Sequence, residues 1–220
     1  VFMDVQDEDS VRAAVELVLR EEGRLDALVN NAGMGIAGPV ELTSEAEAAL
    51  QMSVNFLGAL SVTRHALPAL RKSRGRVVCV SSLAAQIPIP FQALYSASKA
   101  ALEIAMQAIE MECRPFGVCC TCVELGDTKT SFTQNRRYVK AAEGDEVYAG
   151  RFQRSVSRME RDEQNGYDPV MPARFIARQL NRRSPPPVAV CGAFPKTVYA
   201  LRKLLPVRFA NAVIRRLYAN

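Results

Sequence analysis

The strongest constraint on the fold is the apolar run Val77-Val78-Cys79-Val80, in which polar and apolar residues do not alternate. A strand of this kind must be buried on both faces, which is typical of the parallel sheets of α/β proteins. The hydroxyl-bearing residue Ser82 follows the run. Open α/β sheets bind ligands beyond the carboxyl ends of their strands, so Ser82 is expected to lie at a binding site.

Tyr95 and Lys99 follow Ser82 and are four residues apart. On a helix this spacing puts both side chains on one face. We expect the Lys ammonium to lower the pKa of Tyr95 from its ordinary value of about 10, so that the phenol can exchange a proton with an alcohol or carbonyl oxygen. Ser82 could donate a hydrogen bond to the same oxygen. The alternative is an ordinary amphipathic helix beside a loop serine.

The rest of the chain alternates predicted strands and helices. Strands are predicted at 1–5, 25–29, 76–80, 117–125 and 188–191. Helices are predicted from about 11 to 23, from 44 to 70, through Tyr95 and Lys99 to about 114, and from 172 to 180. The last strand follows three prolines and is expected at a sheet edge. A length of 220 residues and an apolar content of 49% suit one α/β domain.

Three segments in this order, N-N-A-G (30–33), V-V-C-V-S-S (77–82) and Y-S-A-S-K-A-A-L (95–102), resemble the short-chain dehydrogenase/reductase family of the classical type. The resemblance spans most of the chain and implies a Rossmann-like, doubly wound parallel sheet with helices on both faces. It also implies that Tyr95 is the acid/base, that Lys99 lowers its pKa and binds the cofactor ribose, and that Ser82 orients the substrate oxygen. Asn55 would hold a water in a proton relay toward Lys99. The one histidine, His65, is not expected to be catalytic.

The resemblance further implies a cofactor, NAD or NADP, with NADP slightly favoured. No metal site is expected, because the segment C-C-T-C at 119–122 lacks zinc-finger spacing and a second ligand cluster. Asp4 and Val5 match residues at the adenine ring, and Leu125 replaces the usual Pro of the nicotinamide loop, which is then expected to be less rigid. The predicted cofactor-binding residues are Asp4, Val5, Asn31, Ala32, Gly33, Tyr95, Lys99, Gly126, Thr128 and Thr130.

A dinucleotide-binding fold begins with a strand, a Gly-rich turn and a helix whose N-terminus takes the pyrophosphate. Only three residues precede Asp4, so the chain is expected to lack the first β-α-β portion of the fold. The glycines of Gly33-x-Gly35-x-x-Gly38 follow a strand, but we predict a loop beside the cofactor there and not a phosphate cradle.

We predict a single domain over 1–220, incomplete at its N-terminus, with a substrate lid at 131–175 and a helical extension at 194–220. The segment E-L-G-D-T-K-T-S-F and the extension resemble the hydroxysteroid and retinol dehydrogenase branch, which implies a bulky apolar substrate such as a steroid, retinoid or lipid. Two interpretations of the extension stay open. It forms short helices that close over the pocket or sheet, or it is a basic amphipathic anchor at a membrane surface.

The net charge of +5 comes without an aromatic-interleaved basic patch, so no nucleic-acid partner is expected. The resemblance implies a homodimer or homotetramer that pairs through the helix at 44–70 and the helix carrying Lys99. Four of the six cysteines lie in apolar, strand-like runs. Buried reduced thiols indicate a reducing compartment, and we expect a cytoplasmic location.

The expected function is the interconversion of an alcohol and its carbonyl by tyrosine acid/base catalysis and hydride transfer with NAD(P). The alternative is a non-catalytic relative that acts as a binding or scaffold protein. The missing Gly-rich turn favours the alternative. The complete set of Asn55, Ser82, Tyr95 and Lys99 favours the enzyme, because a scaffold has no physical need for all four.

Overall fold

A computed structural model describes residues 1–219, and Asn220, the end of the predicted extension, lies outside the described residues. The α-helices, in chain order, are α1 Glu8–Glu22, α2 Glu45–Met52, α3 Gly58–Ser73, α4 Ala93–Cys113, α5 Ala149–Gln164, α6 Val170–Leu180, α7 Ala193–Leu204 and α8 Val207–Tyr218. The β-strands are β1 Ala27–Asn30, β2 Ile36–Ala37, β3 Arg76–Ser82, β4 Cys119–Leu125, β5 Arg137–Tyr138 and β6 Val188–Val190.

The main sheet is parallel and has the strand order β1-β3-β4-β6. In its centre, Val77 of β3 pairs with Leu28 of β1 on one side and with Cys120 of β4 on the other. The proline-led strand β6 is an edge strand of this sheet, as predicted. Strands β2 and β5 form a separate parallel pair.

Helices cover both faces of the main sheet. Val77 and Cys79 of β3 belong to an apolar core with Leu102 and Met106 of α4, whereas Val78, which points the other way, packs with Val123 and α6 on the opposite face. A central strand buried on both faces explains the uninterrupted apolar run in the sequence. The predicted Rossmann-like architecture, a doubly wound parallel sheet with helices on both faces, is confirmed.

The predicted strand at 1–5 is wrong. Residues 1–4 have no regular structure, and the Phe2 side chain is 88% exposed. A strand exists only where a neighbour takes its backbone hydrogen bonds, and no described strand pairs with this segment. The helix that follows is present, since α1 begins after Asp7, whose carboxylate accepts the Asp9 N–H.

The predicted helix from Ser44 is one continuous element. Ser44 and Glu47 form a reciprocal capping box before α2. The π-helical turn Ser53–Leu57 then joins α2 to α3 and contains Asn55. A π-helical turn inside an α-helix is often found at a functional site, because the extra residue redirects one side chain.

The two peripheral segments named from the sequence are also structured. Residues 131–175 contain β5, α5 and the start of α6, and residues 193–218 form α7 and α8. Whether the first segment acts as a lid, and how the chain divides into domains, stay predictions.

Candidate active site

A cavity of about 610 Å³ opens beyond the carboxyl ends of β3 and β4. Ser82, Tyr95 and Lys99 all line it. Strand β3 ends at Ser82, and α4 presents the other two side chains one turn apart. The structure therefore brings these three predicted residues together at the end of the sheet where α/β proteins bind ligands.

Lys99 is held in place by the backbone of β3. Its Nζ atom donates a hydrogen bond of 2.9 Å to the carbonyl oxygen of Val80 and lies 5.9 Å from the centre of the Tyr95 ring. The residue is only 5% exposed. Because an ammonium has three N–H donors, Lys99 can donate further hydrogen bonds into the cavity.

The pKa values of this pair differ from the sequence-based expectation. Burial raises the pKa of Tyr95 to about 12, and the neighbouring Ser82 hydroxyl opposes the rise by hydrogen bonding. Burial lowers the pKa of Lys99 to about 8, although the surrounding Cys79, Cys122 and Glu103 favour its charged form. In this structure, desolvation of Tyr95 outweighs the expected stabilisation of the phenolate by Lys99, so the prediction of a lowered tyrosine pKa is wrong for this state.

Ser82 occupies the turn between β3 and the loop that precedes α4. Its hydroxyl accepts the Ala84 N–H at 3.1 Å and caps the 3₁₀ turn Leu83–Ala85. A serine hydroxyl that accepts one hydrogen bond retains its own proton as a donor. Ser82 can therefore donate to an oxygen atom that also faces Tyr95.

Asn55 is buried and connects three parts of the site. Its side-chain oxygen accepts the Met34 N–H at 2.8 Å, and its side-chain amide donates to the Met34 carbonyl at 2.9 Å and to the Ser98 hydroxyl at 3.1 Å. Gly33 lies between Asn55 and Lys99, because a Cβ atom built there would be 3.5 Å from both Asn55 Oδ1 and Lys99 Nζ. The position beside this glycine is thus close to both side chains, and the water expected there from the sequence stays a prediction.

Most of the predicted cofactor-binding residues converge on the same cavity. Its lining includes Asn31, Gly33, Gly126, Thr128 and Thr130, in addition to Tyr95 and Lys99. Ala32 lies between two of these residues and is exposed.

Asp4 and Val5 do not reach this cavity. The Asp4 carboxylate accepts the Gln6 N–H at 2.9 Å, and Val5 lines a separate groove beside α3, against Gly58. Because the first four residues pair with no described strand, they are not held along the edge of the sheet, closer to the other predicted cofactor residues. Their predicted contact with the adenine ring stays a prediction.

Gln51 is a site residue that the sequence analysis missed. Its side-chain oxygen accepts the Ile36 N–H at 2.7 Å, and its amide donates to the Met34 carbonyl at 2.9 Å. Together with Asn55 it fixes the loop that follows Gly33. The signal was the spacing of four residues between two polar side chains in an otherwise apolar helix face, a spacing that places both on one side.

A pair of buried carboxyl groups behind Lys99 was also missed. Glu103 follows Lys99 by one helical turn and accepts hydrogen bonds from Ser81 at 2.5 Å and from Gln86 at 2.8 Å. Glu124 of β4 is fully buried, and neither of its carboxylate oxygens has a hydrogen-bond partner among the described residues. Burial and the neighbouring Glu103 raise the pKa of Glu124 to about 8. The pair therefore retains at least one proton at neutral pH.

A large apolar wall makes up part of the cavity lining. It draws on the loop before α4 and on helices α5, α6, α7 and α8. The apolar residues on this wall are Leu83, Ile87, Ile89, Met159, Pro172, Ile176, Phe194, Val198, Ile214 and Leu217. The cavity thus combines the polar groups of Ser82, Tyr95 and Lys99 with a large apolar lining.

The model of the short chain dehydrogenase family matches residues 1–140. The chain belongs to the short-chain dehydrogenase family. A 3-ketodihydrosphingosine reductase from Bacteroides thetaiotaomicron is 38% identical over 221 residues, which cover 100% of this chain and 82% of that protein. Human 17-beta-hydroxysteroid dehydrogenase type 1 is 38% identical over 133 residues, which cover 60% of this chain and 40% of that protein. The family and the likeness to hydroxysteroid dehydrogenases predicted from the sequence are confirmed.

Solved structures of this family agree with the fold. A short-chain dehydrogenase from Streptomyces avermitilis has a TM-score of 0.80 at 26% identity, covering 98% of this chain and 79% of that chain. A metagenomic short-chain oxidoreductase, solved in complex with NADP, has a TM-score of 0.54 at 33% identity, covering 56% of each chain. The relatives of this member of the short-chain dehydrogenase family described above are thus dehydrogenases and reductases. The metagenomic oxidoreductase among them binds NADP.

The residues present fit the nicotinamide end of such a cofactor. A Cβ atom on Gly33 would lie 3.5 Å from Lys99 Nζ, so the absence of a side chain there leaves space for a flat ring or a ribose to approach closely. Residues 1–219 contain no phosphate-binding turn that fits the pyrophosphate end of the cofactor. Gly35 and Gly38 flank strand β2 and do not open a helix, and no other strand-to-helix turn described has a Gly-rich sequence.

Proposed function

We propose that this chain carries the catalytic and nicotinamide-binding part of an NAD(P)-dependent oxidoreductase that interconverts a carbonyl and an alcohol on a bulky apolar substrate. The observation that carries the proposal is the convergence of Ser82, Tyr95 and Lys99 on one cavity. The predicted nicotinamide residues form one wall of this cavity and apolar side chains form the other.

Tyr95 is the proton donor in this proposal. With a pKa of about 12 the phenol is protonated at neutral pH, which is the form that can give a proton to a carbonyl oxygen as it becomes an alcohol. Ser82 donates a second hydrogen bond to the same oxygen and fixes its position. A substrate oxygen placed between the two hydroxyls is therefore both oriented and protonated.

Lys99 and Asn55 return the proton to Tyr95. Lys99 has a pKa of about 8, so it can give up and regain a proton near neutral pH. A water above Gly33, held by Asn55, would link Lys99 to the outside of the cavity. Lys99 would also donate to the ribose of NAD(P), and Gly126, Thr128 and Thr130 would hold the nicotinamide, which would supply or accept the hydride when it is bound.

The apolar wall supports a bulky apolar substrate. Its aliphatic and aromatic side chains offer no hydrogen-bond partners to a polar substrate. Substrate binding is therefore stabilised by the removal of apolar surface from water. A steroid-, retinoid- or lipid-like carbonyl fits this wall, and the name of the bacterial relative, 3-ketodihydrosphingosine reductase, supports a lipid ketone.

A second copy of the chain is proposed to pack against α4. Ile104 and Met111 lie on the outer surface of this helix and are exposed. Burying them in a homodimer would remove an apolar patch from water. Equilibrium sedimentation of the chain, with and without Ile104→Glu, tests this assembly.

The decisive experiment is the substitution Tyr95→Phe. It removes the proton donor and keeps the ring, so reduction of an apolar ketone by NADPH or NADH should fall by about 10²-fold or more, while cofactor affinity stays near the wild-type value. Tyr138→Phe, a change of the same chemistry outside the cavity, should leave turnover unchanged. Turnover retained in Tyr95→Phe would overturn the assignment, and inactivity of the wild-type chain with every ketone would favour the binding protein.

A further inference from the structure

Helices α7 and α8 carry an unusual amount of exposed apolar surface. Their exposed large apolar residues range from Val213, at 44%, to Leu204, at 81%. The full set is Phe194, Leu201, Leu204, Val207, Phe209, Val213 and Leu217. Single exposed apolar residues need no explanation, but a contiguous group of this size marks an interaction surface.

These residues form a stripe on each helix. On α8, Phe209, Val213 and Leu217 are spaced four apart and share one face, whereas Ile214 turns inward to the cavity. On α7, Phe194, Leu201 and Leu204 lie toward one side of the helix, and the half-buried Val198, which lines the cavity, borders this group. On each helix the exposed apolar stripe therefore adjoins residues that line the cavity.

The same helices are strongly basic. Between residues 193 and 219 the sequence has six Lys or Arg side chains and no Asp or Glu. Five of these side chains are exposed, namely Lys196, Lys203, Arg208, Arg215 and Arg216. An outward apolar stripe flanked by cations is the arrangement of a helix that lies in the interface of an anionic lipid bilayer.

The exposed surface is continuous with the cavity. Phe194 and Leu217 are exposed on the outside of α7 and α8, and both also line the cavity that holds Tyr95. An apolar molecule that leaves a bilayer between these two helices would pass from one apolar surface directly to another. It would not have to cross water.

We propose that α7 and α8 dock in the interface of an anionic bilayer and admit an apolar carbonyl substrate from the lipid to the cavity. No helix within residues 1–219 is long and apolar enough to span a membrane. The contact that we propose is an interfacial one, with the helices lying along the surface. The docking stands on the surface of α7 and α8 alone, whereas the delivery of substrate rests on the proposed function.

Charge complementarity favours a bilayer over a second copy of the chain as the occupant. Two identical surfaces with five exposed cations each would place like charges opposite one another, which opposes association. Anionic lipid headgroups attract the same cations. Self-association through α7 and α8 is nevertheless an outcome that the test must detect.

The test is flotation of the full chain with two kinds of vesicle, phosphatidylcholine alone and phosphatidylcholine with about one third phosphatidylglycerol. We expect flotation with the anionic vesicles and its loss at high salt, because mobile ions screen the attraction. The double change Arg215→Gln and Arg216→Gln should weaken partitioning about 25-fold, since each cation near an anionic surface contributes about a fivefold factor. Equal flotation with both vesicles, or none with either, would overturn the proposal.

The apolar stripe is tested by the double change Leu204→Glu and Val213→Glu, which alters neither the cavity lining nor Tyr95. We expect this variant to lose flotation. The matched control is Val40→Glu with Val147→Glu, two exposed valines outside α7 and α8, which should float like the wild type. If the stripe variant instead dissociates an oligomer of the wild type in sedimentation and still floats, the surface pairs two copies and the proposal is wrong.

Kinetics separate docking from catalysis. For an apolar ketone presented in anionic vesicles, the stripe variant should show a raised KM with kcat unchanged, while its kcat/KM for a small water-soluble ketone stays at the wild-type value. Tyr95→Phe should float normally without turnover. Flotation without any ketone reductase activity in the wild type would refute the proposed function and keep the docking, whereas activity without flotation would refute the docking alone.

Discussion

We expect the buried carboxyl of Glu124 to make the stability of this protein depend on pH, and Glu124→Gln to remove most of that dependence. Glu124 lies on β4, with Glu103 of α4 beside it, and the positive charge of Lys203 on α7 acts to lower its pKa. Its pKa rises from the ordinary 4.5 to about 8. The contribution of this group to stability is therefore complete below pH 4.5, where folded and unfolded chains are both protonated. It is lost as the pH rises toward 8, because the unfolded chain alone is ionised in that window.

The size of the effect follows from the same values. Each pKa step corresponds to about 1.4 kcal/mol, so the three steps between pH 5 and pH 8 give an upper bound of about 4 kcal/mol. Glu103 and Glu124 share the proton, which divides the effect between them. We therefore expect the free energy of unfolding of the wild type to fall by about 2 kcal/mol from pH 5 to pH 8 through Glu124.

Urea unfolding followed by circular dichroism at pH 5 and pH 8 measures this change. Glutamine has the shape of the protonated acid and does not titrate, so Glu124→Gln should lose most of the decline. Glu16→Gln, the same change at an exposed position of α1, should keep it. If Glu124→Gln declines with pH as steeply as the wild type, the carboxyl is not the source, and the reasoning from burial fails.

Three further predictions concern the site. Gly126→Ala would place a Cβ atom 2.7 Å from Pro195 Cγ, so we expect α7 to shift and the affinity for an apolar ketone to fall, as measured by KM. Gly33→Ala would place a Cβ atom 3.5 Å from both Asn55 and Lys99, an ordinary contact that keeps the fold but fills the space of the proposed water, so turnover should fall by about 10²-fold with an unchanged melting temperature. The rate of ketone reduction should decline above about pH 8, where Lys99 loses its proton, and a pH–rate profile that stays flat to pH 10 would contradict the role of that ammonium.

Much of the fold could be predicted because local patterns and long-range packing agree. The run Val77–Val80 is apolar at every position since α4 covers one face of β3 and α6 the other. Ser44 and Glu47 mark the start of α2 by a reciprocal cap that depends on four neighbouring residues only. The four-residue spacing of Tyr95 and Lys99 needed only a helix to bring both side chains to one cavity.

Other features could not be predicted because they depend on contacts between distant segments. The strand expected at 1–5 has suitable residues but no pairing partner among the described strands. Glu103 on α4 sets the environment of Glu124 on β4. The sequence shows a polar residue at the end of a strand but does not show that its side chain is buried. The raised pKa of Tyr95 likewise results from burial of the phenol, and the four-residue spacing from Lys99 gives no information on that burial.

The two perturbed pKa values bear on the direction of the proposed reaction. A phenol with a pKa of about 12 holds its proton at neutral pH and must lose it before it can accept one from an alcohol. Reduction uses the protonated phenol directly, and Lys99, with a pKa of about 8, is charged at pH 7 and able to restore the proton afterwards. Both groups therefore stand in the protonation states that carbonyl reduction requires at its start. We infer that the site, as folded, is prepared for reduction, and that oxidation of the alcohol needs a higher pH to begin.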